Sequence, residues 1–447
     1  MASSGFVHDY FDMLMQSQYW SREQLVDEQR KQLEPLLRHA RKHVPFYENR
    51  LDSLFDRFGD IDWDRWHEVP IVTRKEAVAH NEAMLSTALP GHQGPTQESF
   101  TSGSTGDPLR VVQSTRSALV LAANMYRTHA WHNLDWSRDM VSWFGEDPNK
   151  GRLPEGETGP AWGPEWNSAA TGKRIAVNRL QQAPEMLAFL ARKKPGYFSA
   201  RPMAAHAAAL ETMRLGLDIR LDAILTFSTG VNDTERADIR QAFGARMLSP
   251  YSSKEGMLMA FQCPTGTHFH INEESVLVEI VDADGHSVAA GEQGRVVVTQ
   301  IYNWAQPIIR YEQGDLAVAG APCACGRTLA VIESIAGRIS HMFRLPDGQH
   351  VAMSLSEDVK KAFGARMWQI AQIAPLVIEV RYVLAGETEG NRETVADIIR
   401  TKTHPDMRIQ FSRREDLIRP DGRKFIDYVY EVERSAPHVL GVQYSPS

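Results

Sequence analysis

Glycine and hydroxyl side chains alternate in one short stretch, which reads Thr101, Ser102, Gly103, Ser104, Thr105, Gly106. Its two glycines free the backbone to curl, so main-chain N–H groups can approach an anion without interference from a Cβ atom. The hydroxyl groups can donate to phosphate oxygens. Because no lysine follows the second glycine, the stretch is not a Walker A loop. On its own it is compatible with a phosphate-binding loop or with a flexible linker.

Three segments further along the chain place charged and aromatic residues next to glycine. They are residues 251–256 (YSSKEG), 291–299 (GEQGRVVVT) and 309–315 (IRYEQGD), and Gly337-Arg338 follows them. Glu255 offers a carboxylate, the kind of ligand that Mg²⁺ takes together with phosphate oxygens. Each residue alone also has an ordinary structural explanation. Glu255 could be a solvated helix cap, Tyr251 a core residue and Asp315 a turn residue.

The three cysteines of the chain suggest a metal site. Cys323 and Cys325 share the turn CACGR, and Cys263 precedes two histidines in the segment CPTGTHFH. Three thiolates and one imidazole satisfy tetrahedral zinc, and four protein ligands leave no open position for catalysis. Three unrelated buried thiols are the alternative. The predicted structural zinc ligands are Cys263, His268, Cys323 and Cys325, with His268 favoured over His270 because it follows Gly266.

Bulk composition excludes several classes of protein. The chain has 447 residues, a formal net charge of −7 and an odd number of cysteines. This charge does not favour nucleic acid or an anionic membrane as a partner, and a disulfide-rich secreted scaffold is not expected. The first fifteen residues contain acidic side chains and lack the apolar region of a signal peptide. No apolar run approaches the ~20 residues of a membrane helix. We therefore expect a cytoplasmic protein.

The elements that must position these residues follow from hydrophobic patterns. Short apolar runs at 140–144 and 223–227 read as buried strands, and helical patterns at 184–192 and 203–214 alternate with them. That alternation predicts an α/β fold with a largely parallel sheet. Runs at 276–281 and 295–299 predict an attached antiparallel β unit. A strand at 376–383 and a helix at 392–401 predict a small C-terminal α+β domain.

In their order along the chain, the motifs resemble those of the adenylate-forming superfamily, which includes acyl-CoA synthetases, peptide-synthetase adenylation domains and luciferases. Residues 44–47 (VPFY) and 69–74 (VPIVTR) are similar to the N-terminus of phenylacetate–CoA ligases. The resemblance runs from about residue 20 to residue 345. It implies a large N-terminal domain over residues 1–337, with the zinc-clamped β unit near 260–330, and a small mobile C-terminal domain over 338–447.

The resemblance also implies an activity and its cofactors. The chain is expected to activate a carboxylic acid, aryl or arylacetic by family default, with ATP and Mg²⁺, and then to transfer the acyl group to CoA. The acid pocket is expected around residues 143–145 and Phe227. The residues implied in nucleotide binding are Thr101, Ser102, Gly103, Ser104, Thr105, Gly106, Ser228, Thr229, Gly230, Tyr251, Lys254, Asp315 and Arg338. Glu255 would hold Mg²⁺, Thr105 would assist catalysis, and Lys424, with Arg423 as the alternative, would contact the α-phosphate.

Two departures from the family pattern keep other functions open. Lys254 stands where relatives have Thr or Ser, and the hinge segment at 337–341 reads GRISH, without the family's acidic residue. An adenylating enzyme with an amine or another non-CoA acceptor is therefore the alternative, and a non-catalytic nucleotide-binding homologue is a third hypothesis. The expected partners are small molecules. A homodimer is a further arrangement that the sequence leaves open.

Overall fold

The computed structural model describes residues 2–101, 108–145, 147, 149–167, 172–227, 233–338, 342–346, 350–352, 355, 357–417 and 428–432. The chain divides into two compact units. The first comprises Met1–Thr101, Leu109–Gln313 and Ala317–Ile335, and the second comprises Ser102–Pro108, Gly314–Leu316 and Ala336–Ser447.

The first unit opens with helices whose ends are encoded locally. They are α1 (Ala2–Ser17), α2 (Arg22–His43) and α3 (Arg74–Ala79). Ser21 begins α2 through a capping box with Gln24, and Thr73 begins α3 in the same way with Glu76. Each box satisfies backbone N–H groups that a helix start otherwise leaves without partners. The second box fixes Arg74 as the first residue of α3.

A hairpin and a helix follow. Strands β1 (Thr96–Phe100) and β2 (Arg110–Ser114) pair antiparallel, with Phe100 opposite Arg110, and α4 (Thr115–Trp131) begins directly after β2. Ser114 caps α4 by accepting from the backbone N–H of Ser117. Thr101 and Leu109, the residues next to Phe100 and Arg110, therefore lie at the same end of the hairpin.

The predicted largely parallel sheet is confirmed. Its strands are β3 (Met140–Gly145), β4 (Glu157–Ala161), β5 (Lys173–Asn178), β6 (Tyr197–Ala200), β7 (Ala223–Thr226) and β8 (Arg246–Leu248), in the order β4-β5-β3-β6-β7-β8. Only the edge strand β4 runs antiparallel to its neighbour among these pairs. The intervening helices are α5 (Ala183–Lys193), α6 (Pro202–Leu215) and α7 (Asp233–Phe243). Their apolar faces bury one core with the sheet.

A seven-stranded sheet forms the attached β unit. Its strands are β9 (Pro250–Ser253), β10 (Met257–Gln262), β11 (Phe269–Ile271), β12 (Val276–Val281), β13 (Gln293–Gln300), β14 (Tyr311–Ala319) and β15 (Val331–Arg338), in the order β12-β13-β14-β15-β11-β10-β9. The predicted pair at 276–281 and 295–299 is the antiparallel pair β12–β13. One core joins this sheet to α2 and to the segments around α3.

The second unit contains the predicted α+β pattern. Its elements are β16 (Met342–Arg344), β17 (His350–Ala352), α8 (Glu357–Phe363), β18 (Ala365–Ala374), β19 (Val377–Leu384), α9 (Arg392–Lys402), β20 (Arg408–Arg413) and β21 (Tyr428–Tyr430). The main sheet has the order β20-β19-β18-β21, and α8 and α9 share its core. In the part of the chain that the structure describes, no helix combines the length and apolarity that a membrane span needs.

Candidate active site

Thr101 joins the two sides of the hairpin from which the Gly/Ser stretch emerges. Its backbone N–H donates to the Leu109 carbonyl oxygen at 2.9 Å, and its Oγ1 accepts from the Leu109 N–H at 3.0 Å. The predicted phosphate-binding residues Ser102, Gly103, Ser104, Thr105 and Gly106 lie outside the described residues. Thr101, the first residue of this stretch, is therefore held in place by its two hydrogen bonds with Leu109.

Arg74 connects Thr101 to the predicted Mg²⁺ ligand. Its Nη2 donates to Thr101 Oγ1 at 2.8 Å, and its Nη1 lies 3.2 Å from Glu255 Oε1. Tyr311 also donates to Glu255 Oε1, at 3.4 Å. The Glu255 side chain is only 5% exposed, so its charge needs a nearby cation. Both contacts fall on Oε1, and Oε2 makes none within the described residues.

Lys254 approaches the same hairpin end from the turn before β10. Its ammonium donates to the carbonyl oxygen of Phe100, and its own carbonyl oxygen accepts from Gln113 Nε2 at 3.0 Å. The side chain is exposed, and Arg74 takes the ion pair with Glu255. Two cations, Arg74 and Lys254, thus contact the consecutive residues Phe100 and Thr101.

The remaining predicted nucleotide-binding residues differ in what the structure describes of them. Tyr251 is buried on β9 within the core of the first unit, and Asp315 is a buried residue of β14. Arg338 is the last residue of β15, and its side chain lies outside the description. Ser228, Thr229 and Gly230 follow β7 outside the described residues, as does Lys424. The proposed roles of these residues stay predictions.

Arg310, from the segment IRYEQGD, has a structural role. Its guanidinium is 1% exposed and pairs with Glu279 at 3.1 Å. It also donates to the carbonyl oxygens of His67, Val69 and Gly285, at 2.7–2.8 Å. These bonds satisfy a buried charge and tie the segment before α3 to β12 and to the turn that follows β12. Arg310 thereby helps to hold Arg74 near Glu255.

The aromatic residues expected at the acid pocket separate into two groups. Phe144 and Phe227, at the ends of β3 and β7, contact each other edge to face with centroids 4.8 Å apart. Trp143 instead belongs to the core between the sheet and its helices, and its indole N–H donates to the Asn178 carbonyl oxygen at 3.2 Å. The alternation of side chains along β3 explains this difference, because neighbouring residues point to opposite faces.

The cysteines and histidines meet as the spacing predicts, with one difference in the set. Cys263, His268, His270 and Cys323 each place a donor atom within 4.8 Å of all the others. Cys263 and Cys323 have their sulfurs 3.8 Å apart, and His268 Nε2 lies 3.0 Å from Cys323 Sγ. Cys325 Sγ lies 3.3 Å from His270 Nε2. His270 therefore joins the group, and Cys325 contacts it from one side.

This donor set fits zinc. Tetrahedral Zn–S bonds of about 2.3 Å separate two sulfurs by roughly 3.8 Å, which matches the distance between the Cys263 and Cys323 sulfurs. Burial lowers the pKa of His270 to about 4, so its imidazole is neutral and keeps a lone pair for a metal at neutral pH. Burial raises the pKa of the Cys323 thiol to about 11, which a bound cation would reverse.

Further contacts tie the cluster to α4 and to Gln18, the residue that follows α1. Arg327 donates to Cys325 Sγ at 3.6 Å and to Gln18 Oε1 at 3.0 Å. Trp131 Nε1 donates to the same Gln18 oxygen at 2.5 Å, and its ring meets that of His270 edge to face. The cluster is therefore continuous with the packing of the N-terminal helices.

Comparison with known proteins agrees with the motifs. No protein-family model matches the chain. It is 24% identical over 330 residues to a phenylacetate–coenzyme A ligase of Thermus thermophilus, and the match covers 72% of each protein. The chain is similar to phenylacetate–coenzyme A ligase over most of its length. Arg74, in the family-like segment 69–74, is a residue whose role sequence reasoning missed although its motif was recognised.

Solved structures of two CoA ligases share the fold of this chain. A 2-hydroxyisobutyryl-CoA ligase in the postadenylation state matches with a TM-score of 0.65 and 18% identity, over 94% of both chains. An anthranilate CoA ligase in complex with anthranoyl-AMP matches with a TM-score of 0.50 and 14% identity, over 73% of this chain and 64% of the other. At these identities the likeness is one of fold.

Proposed function

We propose that the protein activates a carboxylic acid with ATP and transfers the acyl group to CoA. In the first step a carboxylate oxygen attacks the α-phosphorus, the bond to pyrophosphate breaks, and an acyl-adenylate forms. In the second step the CoA sulfur attacks the acyl carbon and AMP leaves. The observation that carries the proposal is the group of Arg74, Thr101 and Glu255 at the base of the Gly/Ser stretch.

Charge neutralisation is the chief task at such a site, because attack brings two anions together. We assign the residues from Thr101 to Gly106 to the triphosphate through backbone N–H and hydroxyl groups, with Lys254 adding a positive charge at their start. Glu255 would hold Mg²⁺ through Oε2, since Arg74 and Tyr311 occupy Oε1. Arg74 then holds the carboxylate in its orientation.

The remaining nucleotide contacts are assigned by the resemblance to the adenylate-forming superfamily. Tyr251 would lie against the adenine, and Asp315 would accept hydrogen bonds from the ribose hydroxyls. Ser228, Thr229, Gly230 and Arg338 would line the nucleotide. Lys424, with Arg423 as the alternative, would reach the α-phosphate from a mobile C-terminal domain spanning residues 338–447.

Zinc is proposed as a structural ion of the first unit. Cys263, His268 and Cys323 belong to both the predicted set and the four mutually close donors, and the fourth ligand is Cys325 or His270. Four protein ligands would leave no open position. Its role would be to hold the turn before β11 against the turn before β15.

The acid is proposed to be aryl or arylacetic. The named relatives include ligases for phenylacetate and anthranilate, and the Phe144–Phe227 pair supplies aromatic surface at the ends of β3 and β7. These strand ends lie at the edge of a parallel sheet where ligands commonly bind.

Pyrophosphate release tests this function. The full chain would be incubated with ATP and Mg²⁺ and a panel of aryl, arylacetic, fatty and amino acids, with and without CoA. The expected result is release that depends on one class of acid, together with stoichiometric loss of CoA thiol. Release that ignores CoA would indicate another acceptor, such as an amine. ATP binding without release for any acid would contradict the proposal.

A further inference from the structure

Arg174 is a cation on one face of the parallel sheet. It is the second residue of β5, and it pairs in register with Met140, the first residue of β3. Neighbours in register share a face of the sheet, and residues two apart on one strand also share a face. The Arg174 side chain therefore starts on the face that carries Met140 and Ser142.

Two contacts hold the Arg174 side chain along this face. Its Nε donates to Oγ of Ser142, a buried residue, at 3.2 Å. Its guanidinium carbon lies 5.2 Å from the centre of the Phe144 ring, which in turn contacts the ring of Phe227. A guanidinium near an aromatic ring gains cation–π attraction. These contacts place the Arg174 charge beside the aromatic surface proposed for the acid.

Among the described residues, no carboxylate pairs with the Arg174 guanidinium, and its two Nη atoms make no hydrogen bond. Partial burial lowers the pKa of this guanidinium, because the charged form loses part of its hydration. The group still carries its charge at neutral pH. Arg174 as a whole is exposed, so a ligand can reach the two Nη atoms. A partly dehydrated cation of this kind favours the binding of an anion.

We propose that Arg174 binds a second anionic group on the substrate acid. The substrate class is then an aryl or arylacetic acid that carries a further carboxylate, or another anion such as a sulfonate, on its ring. The Nη atoms of an arginine match the two oxygens of a carboxylate, and Phe144 and Phe227 would contact the ring. Arg174 is a specificity-determining residue. The inference rests on the proposed function and narrows its substrate.

Matched acids of similar shape and different charge test the inference. Benzoates and phenylacetates with a second carboxylate would be compared with the carboxamides of the same ring position, by kcat/KM for pyrophosphate release. Sulfonate and sulfonamide substituents repeat the comparison with an anion that is not a carboxylate and so is not itself activated. We expect the best anionic acid to exceed its neutral partner by about 10-fold, since solvent partly screens an ion pair with an exposed arginine.

Arg174→Gln should bring that ratio close to one, because it lowers kcat/KM for the anionic acids about 10-fold more than for the neutral ones. Arg174→Lys keeps the charge without the planar pair of donors, so it should keep only part of the preference. Arg192→Gln is the matched control. Arg192 is also exposed and lies 5.5 Å from the centre of a phenylalanine ring, but that ring, Phe189, belongs to the core between the sheet and its helices. This variant should keep the full preference.

Other results would overturn the inference in distinguishable ways. Equal kcat/KM within every pair would refute the recognition of a second anion and leave the proposed function in place. A preference that persists in Arg174→Gln would place this recognition at other residues. An equal fall for both members of each pair would assign Arg174 to a step that all acids share. If Arg174→Gln does not fold, Arg174→Lys decides, and an undiminished preference in it would overturn the inference. Absence of release with every acid would refute the proposed function and this inference together.

Discussion

The Glu255 site and the Cys/His cluster lie in the same unit but satisfy their polar groups in different ways. Glu255 has a protein cation, Arg74, at 3.2 Å and a phenol donor in Tyr311. The donor atoms of Cys263, His268, His270 and Cys323 lie mainly against one another. A carboxylate paired with arginine is stable without a metal, whereas crowded thiols and imidazoles gain most from a bound ion.

This difference predicts which of the two sites needs a bound metal ion in order to fold. The cluster is expected to be part of the fold only when an ion is present, and its contacts through Arg327 and Gln18 would pass the effect to α1. The Glu255 site is expected to keep its shape in the absence of ligands and to need Mg²⁺ only for chemistry.

Removing the ion from the cluster should have the largest effect on the protein. Cys323→Ser should abolish bound zinc, measured by elemental analysis, and lower the free energy of unfolding by several kcal/mol, on the order of 5. His286→Ala, which changes an exposed histidine elsewhere in the unit, should leave both unchanged. The bound zinc of Cys325→Ser and of His270→Ala is then measured, and the variant that loses it identifies the fourth ligand. A chain that folds equally well in chelator would contradict a structural zinc.

Removing the charge of Glu255 should impair chemistry more than stability. Glu255→Gln should slow pyrophosphate release roughly 100-fold, because the variant lacks the carboxylate that we propose as the Mg²⁺ ligand. Glu98→Gln, which changes an exposed carboxylate paired with Arg110 at 2.6 Å, is the control. A normal rate in Glu255→Gln would reduce Glu255 to a structural partner of Arg74.

Arg74→Ala should affect both stability and activity. It leaves a nearly buried carboxylate without its cation, at a cost of about 2 kcal/mol, less than for a fully buried pair because Arg74 is 26% exposed. The change in the free energy of unfolding is measured by urea denaturation. Arg381→Ala is the control, since Arg381 is also partly buried and pairs with Glu431 at 2.8 Å in the second unit. Equal losses in the two variants would show that the Glu255 pair has no special importance.

Lys254→Ser should have the smallest effect. Serine is one of the residue types found at this position of the family motif. Because the substitution removes one exposed cation, the KM for ATP should rise about 3-fold and depend less on the salt concentration. Lys31→Ser, on the exposed face of α2, should change neither quantity. An unchanged salt dependence in Lys254→Ser would limit Lys254 to its bond with the Phe100 carbonyl oxygen.

Local patterns predicted much of the fold. The expected strand at 276–281 is β12, and the expected helix at 392–401 is α9 with one more residue. The capping box of Ser21 and Gln24 begins α2 as its spacing indicates. Such signals succeed because the atoms involved lie within about one helical turn or one strand, where sequence spacing alone determines distance.

The candidate site was predictable in its residue types and less so in its pairings. Ordered motifs pointed to Glu255, Tyr251 and the Gly/Ser stretch, and cysteine spacing pointed to a metal cluster. Nothing in the sequence pairs Arg74 with Glu255, because 181 residues separate them. Trp143 was expected at a pocket and lies in the core, since the pattern did not tell the two faces of β3 apart.

The sequence by itself determined the order of the chemical motifs, and with it the resemblance to phenylacetate–CoA ligases. It also determined the α/β character and the presence of enough thiols and imidazoles for one zinc. Only the tertiary structure decided that Arg74 takes Glu255 Oε1 and that His270 enters the cysteine cluster. The physical reason is that these contacts join elements far apart in the chain. Their distances depend on how sheets and helices pack, which no local spacing encodes.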